Sequence, residues 1–475
     1  MLRIEIFSVI TEKSTSPNMA IIFARIIVVC FSFLSFKLSV TLLNPEEVGR
    51  MHLILGLTSF YSMLIAGPVY LYLHRSLFYL IATLNMWRTI KRLLQFLIVT
   101  LLIYCFFISW VRTDTNSVTL VLFFYILINC IYEGILPNIN LLGRFKLFAL
   151  ASVFGQAFSL VISLTLCFLY EKSAISWITG MIVGQTITIL CVRLYMYKNI
   201  SEVVGGFQNP FENTRSVLSF LFPLAYSALA TWVALYSQRY LIESSMNIHD
   251  VAVFSVILAI ALNLIGVLNT LAQQILLPKF YQACANDRAD TKEAWHNYFR
   301  TAIPYLTFFV SVGGIFSSEL VKLFTNSVYE LNSILLLWFL ISEYFKSIGV
   351  AFDVYLHGMG DTVIMYKIST VILFGSSISY LFAYYYKNIY AFAYAYLVIS
   401  ISTLLVKYIL IVKKNGLCVD FSVALKGIKW SAPLGLLYIF NYTFQLHYLV
   451  TLLFAALISI LCLAFMYSYE GLKVE

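Results

Sequence analysis

The chain has 475 residues, 61% hydrophobic and 17% aromatic but only 11% charged, at a mean hydropathy of +0.88. An ordinary soluble domain carries about 25% charged residues, so a water-soluble enzyme or binding module is excluded. The net charge of +9 lies in short runs between apolar segments rather than along one basic face, which argues against nucleic acid as a partner.

Apolar stretches of about 18 to 25 residues, each able to cross a hydrocarbon core of about 30 Å as a helix, fill nearly the whole sequence. They predict an all-α polytopic membrane protein with about fourteen transmembrane helices. The spans read as 19–43, 51–73, 93–111, 118–137, 147–169, 174–195, 217–238, 251–277, 301–318, 331–352, 363–386, 389–412, 430–446 and 448–468. The first is too long for a signal-peptide core and has no clear cleavage site behind it, so it is read as a retained span. With the N-terminus in the cytoplasm, about 22 Lys and Arg residues fall on the cytoplasmic side and about six outside, which places both termini in the cytoplasm. After the second span, Leu77, Leu80, Ile81, Leu84 and Trp87 recur at helical spacing opposite Arg88, Lys91 and Arg92, and predict a helix lying along the inner membrane surface.

The connections carry an internal repeat. Asn44-Pro45-Glu46-Glu47-Val48-Gly49-Arg50-Met51 follows the first span, and Asn247-Ile248-His249-Asp250-Val251-Ala252-Val253-Phe254 follows the seventh, about 203 residues later. Leu73-His74-Arg75 with Phe78-Tyr79 is answered by Leu277-Pro278-Lys279 with Phe280-Tyr281, Trp87 by Trp295, and Leu141-Leu142-Gly143 by Leu356-His357-Gly358. Two runs of six helices in the same orientation predict two pseudo-symmetric lobes with a transport path at their interface. The expected division is residues 1–200, residues 201–412, and an added two-helix segment with a short cytoplasmic tail over 413–475.

Ionisable groups at membrane depth are the candidate site residues: Arg25, Lys37, Glu133, Arg239, Glu343 and Lys346. Arg25 and Lys37 flank the centre of the first span and either snorkel to the two interfaces or face a cavity. Glu133 has no charge within one turn, and Asn129 shares its face, so both are expected to point into the bundle. Arg239, at the outer end of the seventh span, is either an interfacial positive or a guanidinium matched to a phosphate. Glu343 and Lys346, three residues apart, either neutralise one another or line the path. Gly67-Pro68, Pro137, Pro223, Pro304 and Pro433 are places where helices are expected to bend. The eight cysteines show no metal-ligand spacing and are read as small core residues, and the six histidines form no metal-binding pair, so neither a metal nor a cofactor is expected.

Leu43-Asn44-Pro45-Glu46-Glu47-Val48-Gly49, Phe222-Pro223, Trp232 with Gln238-Arg239, and Val251-Ala252-Val253-Phe254-Ser255 resemble, in this order, the polysaccharide (O-antigen, Wzx-type) flippases of the multidrug/oligosaccharidyl-lipid/polysaccharide exporter superfamily. Gln238 stands where that family often has an acidic residue, and Asn44 where a glycine is usual. The two additional C-terminal helices resemble the fourteen-helix arrangement of lipid II flippases. The resemblance implies a non-enzymatic secondary transporter of the bacterial inner membrane. Its substrate would be a polyprenyl-diphosphate-linked oligosaccharide, moved to the outer leaflet for O-antigen or capsule assembly beside other polysaccharide-assembly membrane proteins. A cation-coupled multidrug exporter of the same superfamily is the nearest rival, and it should favour carboxylates in its cavity. A membrane glycosyltransferase or polysaccharide polymerase is disfavoured by the short outside loops, and a primary pump by the absence of a G-x-x-x-x-G-K-[ST] loop.

Overall fold

Backbone groups in hydrocarbon have no water to bond, so a chain this apolar closes its hydrogen bonds within helices. The computed structural model describes residues 17–469 except 83–85, 112–115, 200–213, 287, 360–361, 414, 418 and 445–446, and every regular element among the described residues is helical. In chain order these are α1 (Pro17–Leu42), α2 (Pro45–Tyr61), a π-helical segment (Ser62–Ala66), α3 (Gly67–Ala82), α4 (Met86–Val111), α5 (Asn116–Leu141), α6 (Phe145–Leu169), α7 (Ala174–Asn199) and α8 (Thr214–Ser245). There follow α9 (Ile248–Asn286), α10 (Arg288–Ile315), α11 (Ser317–Phe324), α12 (Ser327–Glu330), α13 (Ile334–Met359), α14 (Thr362–Tyr386), α15 (Ile389–Lys407), a second π-helical segment (Tyr408–Lys413), α16 (Ser422–Phe444) and α17 (Tyr448–Tyr469). Among the described residues, eleven helices are long and apolar enough to span a membrane, or twelve if the bent pair α10 and α11 counts as one. With α1 and α8, each expected span has a helix. The protein is a multi-pass membrane protein.

Several elements differ from the sequence expectation. The ninth span ends at Ile315, and α11 leaves it at 79°, because Gly313-Gly314 lets Leu340 and Leu337 press against the backbone and Ser317-Ser318-Glu319 starts a new helix after the buried Phe316. Residues 278–286, expected as a connection, continue α9, and Gly358 lies inside α13, whereas Gly143 ends α5 with φ of 74°. The helices run on through Pro137, Pro223, Pro304 and Pro433. At Gly67-Pro68 the ladder instead widens: Pro68 has no N–H to give the carbonyl four residues back, and Gly67 N–H reaches Ser62 O, five back. The side chains of Leu77, Leu80, Ile81, Leu84, Trp87 and Arg88 lie outside the described residues. Cys30 and Cys191 are exposed, unlike the buried Cys105, Cys130, Cys167 and Cys462.

The chain divides into two compact units, Met1–Leu229 and Ala230–Glu475, and the expected boundary at residue 200 lies outside the described residues. In the first unit α5 packs on α7, α6 on α7, α2 on α5 and α3 on α4. In the second, α13 packs on α15, α14 on α15, α9 on α13 and α9 on α10. These are the same pairs, six spans further on. The motif after α1 is used structurally: Glu47 accepts from Ala174 N (2.8 Å) at the start of α7 and pairs with Arg50 (2.9 Å). Asn247 caps α9, accepting from Asp250 N (2.8 Å). The added helix α16 lies close on α10, where a Cβ at Gly427 would meet Pro304 O at 2.4 Å.

Candidate functional site

The second unit gathers three of the candidate residues. Helices α13 and α15 run parallel, and their contact carries Glu343, Lys346 and Tyr396. The Tyr396 hydroxyl donates to Glu343 Oε1 (2.5 Å) and accepts from Lys346 Nζ (2.8 Å), which also pairs with Glu343 Oε1 (2.7 Å). A buried carboxylate needs such partners, since an unpaired one would cost several kcal/mol (roughly) in a low-dielectric site. Glu343 is thereby neutralised by its own helix, and only Lys346 retains appreciable exposure.

Arg239 lies further from the end of its helix than the sequence suggests. Because α8 continues to Ser245, Arg239 lies six residues, or about 9 Å, inside the helix rather than at its outer end. It is 4% exposed, and its Nε is buried without a hydrogen-bond partner. The guanidinium stands 4.9 Å from the Tyr236 ring and has Tyr240 and Tyr396 as further neighbours. Among the described residues no carboxylate pairs with it. With Glu343 claimed by Lys346, Arg239 leaves the cluster with one uncompensated positive charge. Tyr380 fixes α14 against α8 by donating to Ala234 O (2.6 Å).

A second ionic contact lies further along the same two helices. Lys407 Nζ donates to Asp353 Oδ2 (2.5 Å) and to Gly349 O (3.3 Å), ten or eleven residues beyond the first, or about 15 Å. Sequence reasoning missed this pair, although a lysine inside the twelfth span was the available signal; Asp353 fell one residue past the expected end of the tenth. Tyr396 and Tyr236 were hidden among 33 tyrosines.

Glu133 and Lys37 lie in the first unit. Glu133 is exposed on α5, with the Asn129 side chain in hydrogen-bonding reach and Tyr70 and Tyr125 close enough to feel its charge. Asn129 Oδ1 accepts from Gln185 Nε2 (3.3 Å) on α7. Asn129 therefore turns into the bundle while Glu133, four residues on, keeps an open face. Lys37 is half-buried on α1, and the side chain of Arg25 lies outside the described residues. No group of three His, Cys, Asp or Glu residues able to hold a metal occurs among the described residues.

Neither the protein families nor the curated proteins compared with this chain yield a match. Solved structures do. The lipid II flippase MurJ in an inward closed conformation superposes with a TM-score of 0.66 at 14% identity, over 96% of this chain and 99% of that one. An outward-facing multidrug resistance MATE transporter of the MOP superfamily gives 0.54 at 15% identity, over 85% and 99%. A MOP superfamily transporter from Pyrococcus furiosus, described by the reversed polarity of its binding pocket, gives 0.54 at 15%, over 85% and 99%. This chain has their fold. At such identities the likeness concerns architecture, and the chemistry of the site has to be argued from this chain's own residues.

Proposed function

We propose that this protein flips a polyprenyl-diphosphate-linked oligosaccharide from the inner to the outer leaflet of the bacterial inner membrane, for assembly of a surface polysaccharide such as O-antigen or capsule. The observation that carries the proposal is the buried, uncompensated Arg239. A guanidinium keeps its charge at any physiological pH, and its planar fork fits phosphate oxygens. A charge held so far inside the protein without a counter-ion is costly unless an anionic ligand completes it. The neighbouring tyrosines suit the sugar, and the polyprenyl tail stays in lipid. The lipid II flippase matches nearly the whole chain, whereas the MATE structures match 84% or 85% of it, which favours the lipid-linked cargo over a drug. In this reading both termini are cytoplasmic, 1–200 and 201–412 are the six-helix lobes of an alternating-access cycle, the segment 413–475 attends the lipid tail, and other polysaccharide-assembly membrane proteins work alongside.

One observation favours the drug-exporter alternative: the exposed carboxylate of Glu133 in the first unit, a group that suits a cationic drug. Cells lacking the gene decide between the two. The flippase reading expects lipid-linked repeat units to accumulate in the inner leaflet, and expects the Arg239→Gln protein, present at normal level, to restore surface glycan at least about tenfold less well than the wild type. Normal surface glycan with altered drug tolerance would overturn it.

A further inference from the structure

Trp232, Tyr236 and Tyr240 stand at four-residue intervals on α8, which puts them along one face of the helix. The Trp232 and Tyr240 rings are stacked, with centroids 5.9 Å apart and planes at 30°. The Tyr236 ring lies under the Arg239 guanidinium. All three rings are half-buried, so each keeps part of its surface open. Tyr236 neighbours both Arg239 and Tyr396, which puts it on the side of the Glu343, Lys346 and Tyr396 network. Its hydroxyl has no hydrogen-bond partner among the described residues. An interfacial aromatic belt sits at helix ends, whereas Trp232 is thirteen residues, or about 20 Å along the axis, from the end of α8 at Ser245.

An anion site alone would need only the arginine. A pyranose ring differs from a simple anion in presenting one face of C–H groups, weakly positive and apolar, with hydroxyls at its edge. The negative π-face of an aromatic ring attracts the first, and a free phenol hydroxyl bonds the second. We propose that Trp232, Tyr236 and Tyr240 form a saccharide platform: with a phosphate on Arg239, the adjoining sugar ring lies on Trp232 and Tyr240 and a sugar hydroxyl bonds Tyr236. The proposal rests on the flippase reading and adds to it where the sugar binds and that the protein distinguishes a glycosylated carrier from a bare one.

The test compares binding of two probes to the purified full-length protein in lipid nanodiscs: polyprenyl diphosphate bearing a disaccharide, and bare polyprenyl diphosphate. The Trp232→Ala/Tyr240→Ala protein is expected to bind the glycosylated lipid about tenfold more weakly and the bare lipid unchanged, while Trp232→Phe/Tyr240→Phe keeps both affinities. Bare-lipid binding is the control for folding. Should the alanine variant fail to fold, Tyr236→Phe decides, because it removes one oxygen and is expected to weaken only the glycosylated lipid. Equal losses for both probes, or none, would overturn the platform while leaving the flippase reading in place. A wild-type protein that binds neither lipid would overturn both.

Discussion

The two units of this protein pack equivalent helix pairs and hold them with different chemistry. In the first, α6 and α7 touch backbone to backbone: a Cβ at Gly180 would lie 2.3 Å from Ser163 Cα, and one at Gly184 would lie 2.3 Å from Ser159 N. Two small residues four apart on each helix make that approach possible, and Ser163 adds a hydrogen bond to Trp177 O (2.7 Å). The α5 and α7 contact uses the neutral amides of Asn129 and Gln185. In the second unit the corresponding pair, α13 and α15, is joined by Glu343 with Lys346 and Tyr396, and by Asp353 with Lys407. Close backbone packing tolerates no side-chain change and fixes one geometry. Ionic contacts hold as firmly only while every partner stays in place, and they can exchange partners when a charged ligand arrives. The lesson is that the repeated scaffold is common to both units, while the buried ion pairs among the described residues lie in the second.

The comparison can be broken by substitution. The largest effect is expected for Gly184→Leu, which has no room against the α6 backbone: a loss of at least about 3 kcal/mol, read as loss of folded protein in the membrane and early thermal unfolding in detergent. Gly375→Leu, at a glycine with nothing within 4 Å, should leave both readouts unchanged. Equal tolerance at the two sites would deny the close contact. Lys407→Ala comes next. It strands Asp353, whose side chain is 30% exposed and partly solvated, so a loss of about 2 kcal/mol is expected, and Lys407→Ala/Asp353→Ala should regain most of it. A double variant no better than the single one would mean that the charges do not bind the helices. The smallest effect belongs to Gln185→Ala, about 1 kcal/mol for one neutral hydrogen bond. If thermal unfolding ranked it above Lys407→Ala, the contrast between neutral and ionic contacts would be reversed.

Much of the fold was legible because the bilayer imposes it. Span count and helix order follow from apolar runs that act locally, whereas α2 begins at Pro45, six residues before the expected span at 51, because Pro and the acidic pair Glu46-Glu47 open a helix without being apolar. What the sequence hid are contacts between distant positions. Gly180 and Gly184 read as ordinary glycines until Ser159 and Ser163 lie across from them. Asp353 and Lys407 are 54 residues apart, and nothing local joins them. Among the six candidate residues, Glu343 and Lys346 pair with each other, as their spacing allowed. Arg239 lies further inside its helix than expected, because Tyr240 to Ser245, which end in Glu243, Ser244 and Ser245, continue the helix past the expected end at 238.

By itself, then, the sequence determined that this chain lives in a membrane as a bundle of helices with a handful of charges inside it, since the price of leaving a backbone group or a charge in hydrocarbon leaves few alternatives. Which of those charges would be silenced and which left open was decided only by tertiary structure. Neutralisation depends on distances of a few ångströms between helices far apart in sequence. The fold brings Lys346 and Tyr396 to Glu343, and among the described residues it brings tyrosines but no carboxylate to Arg239.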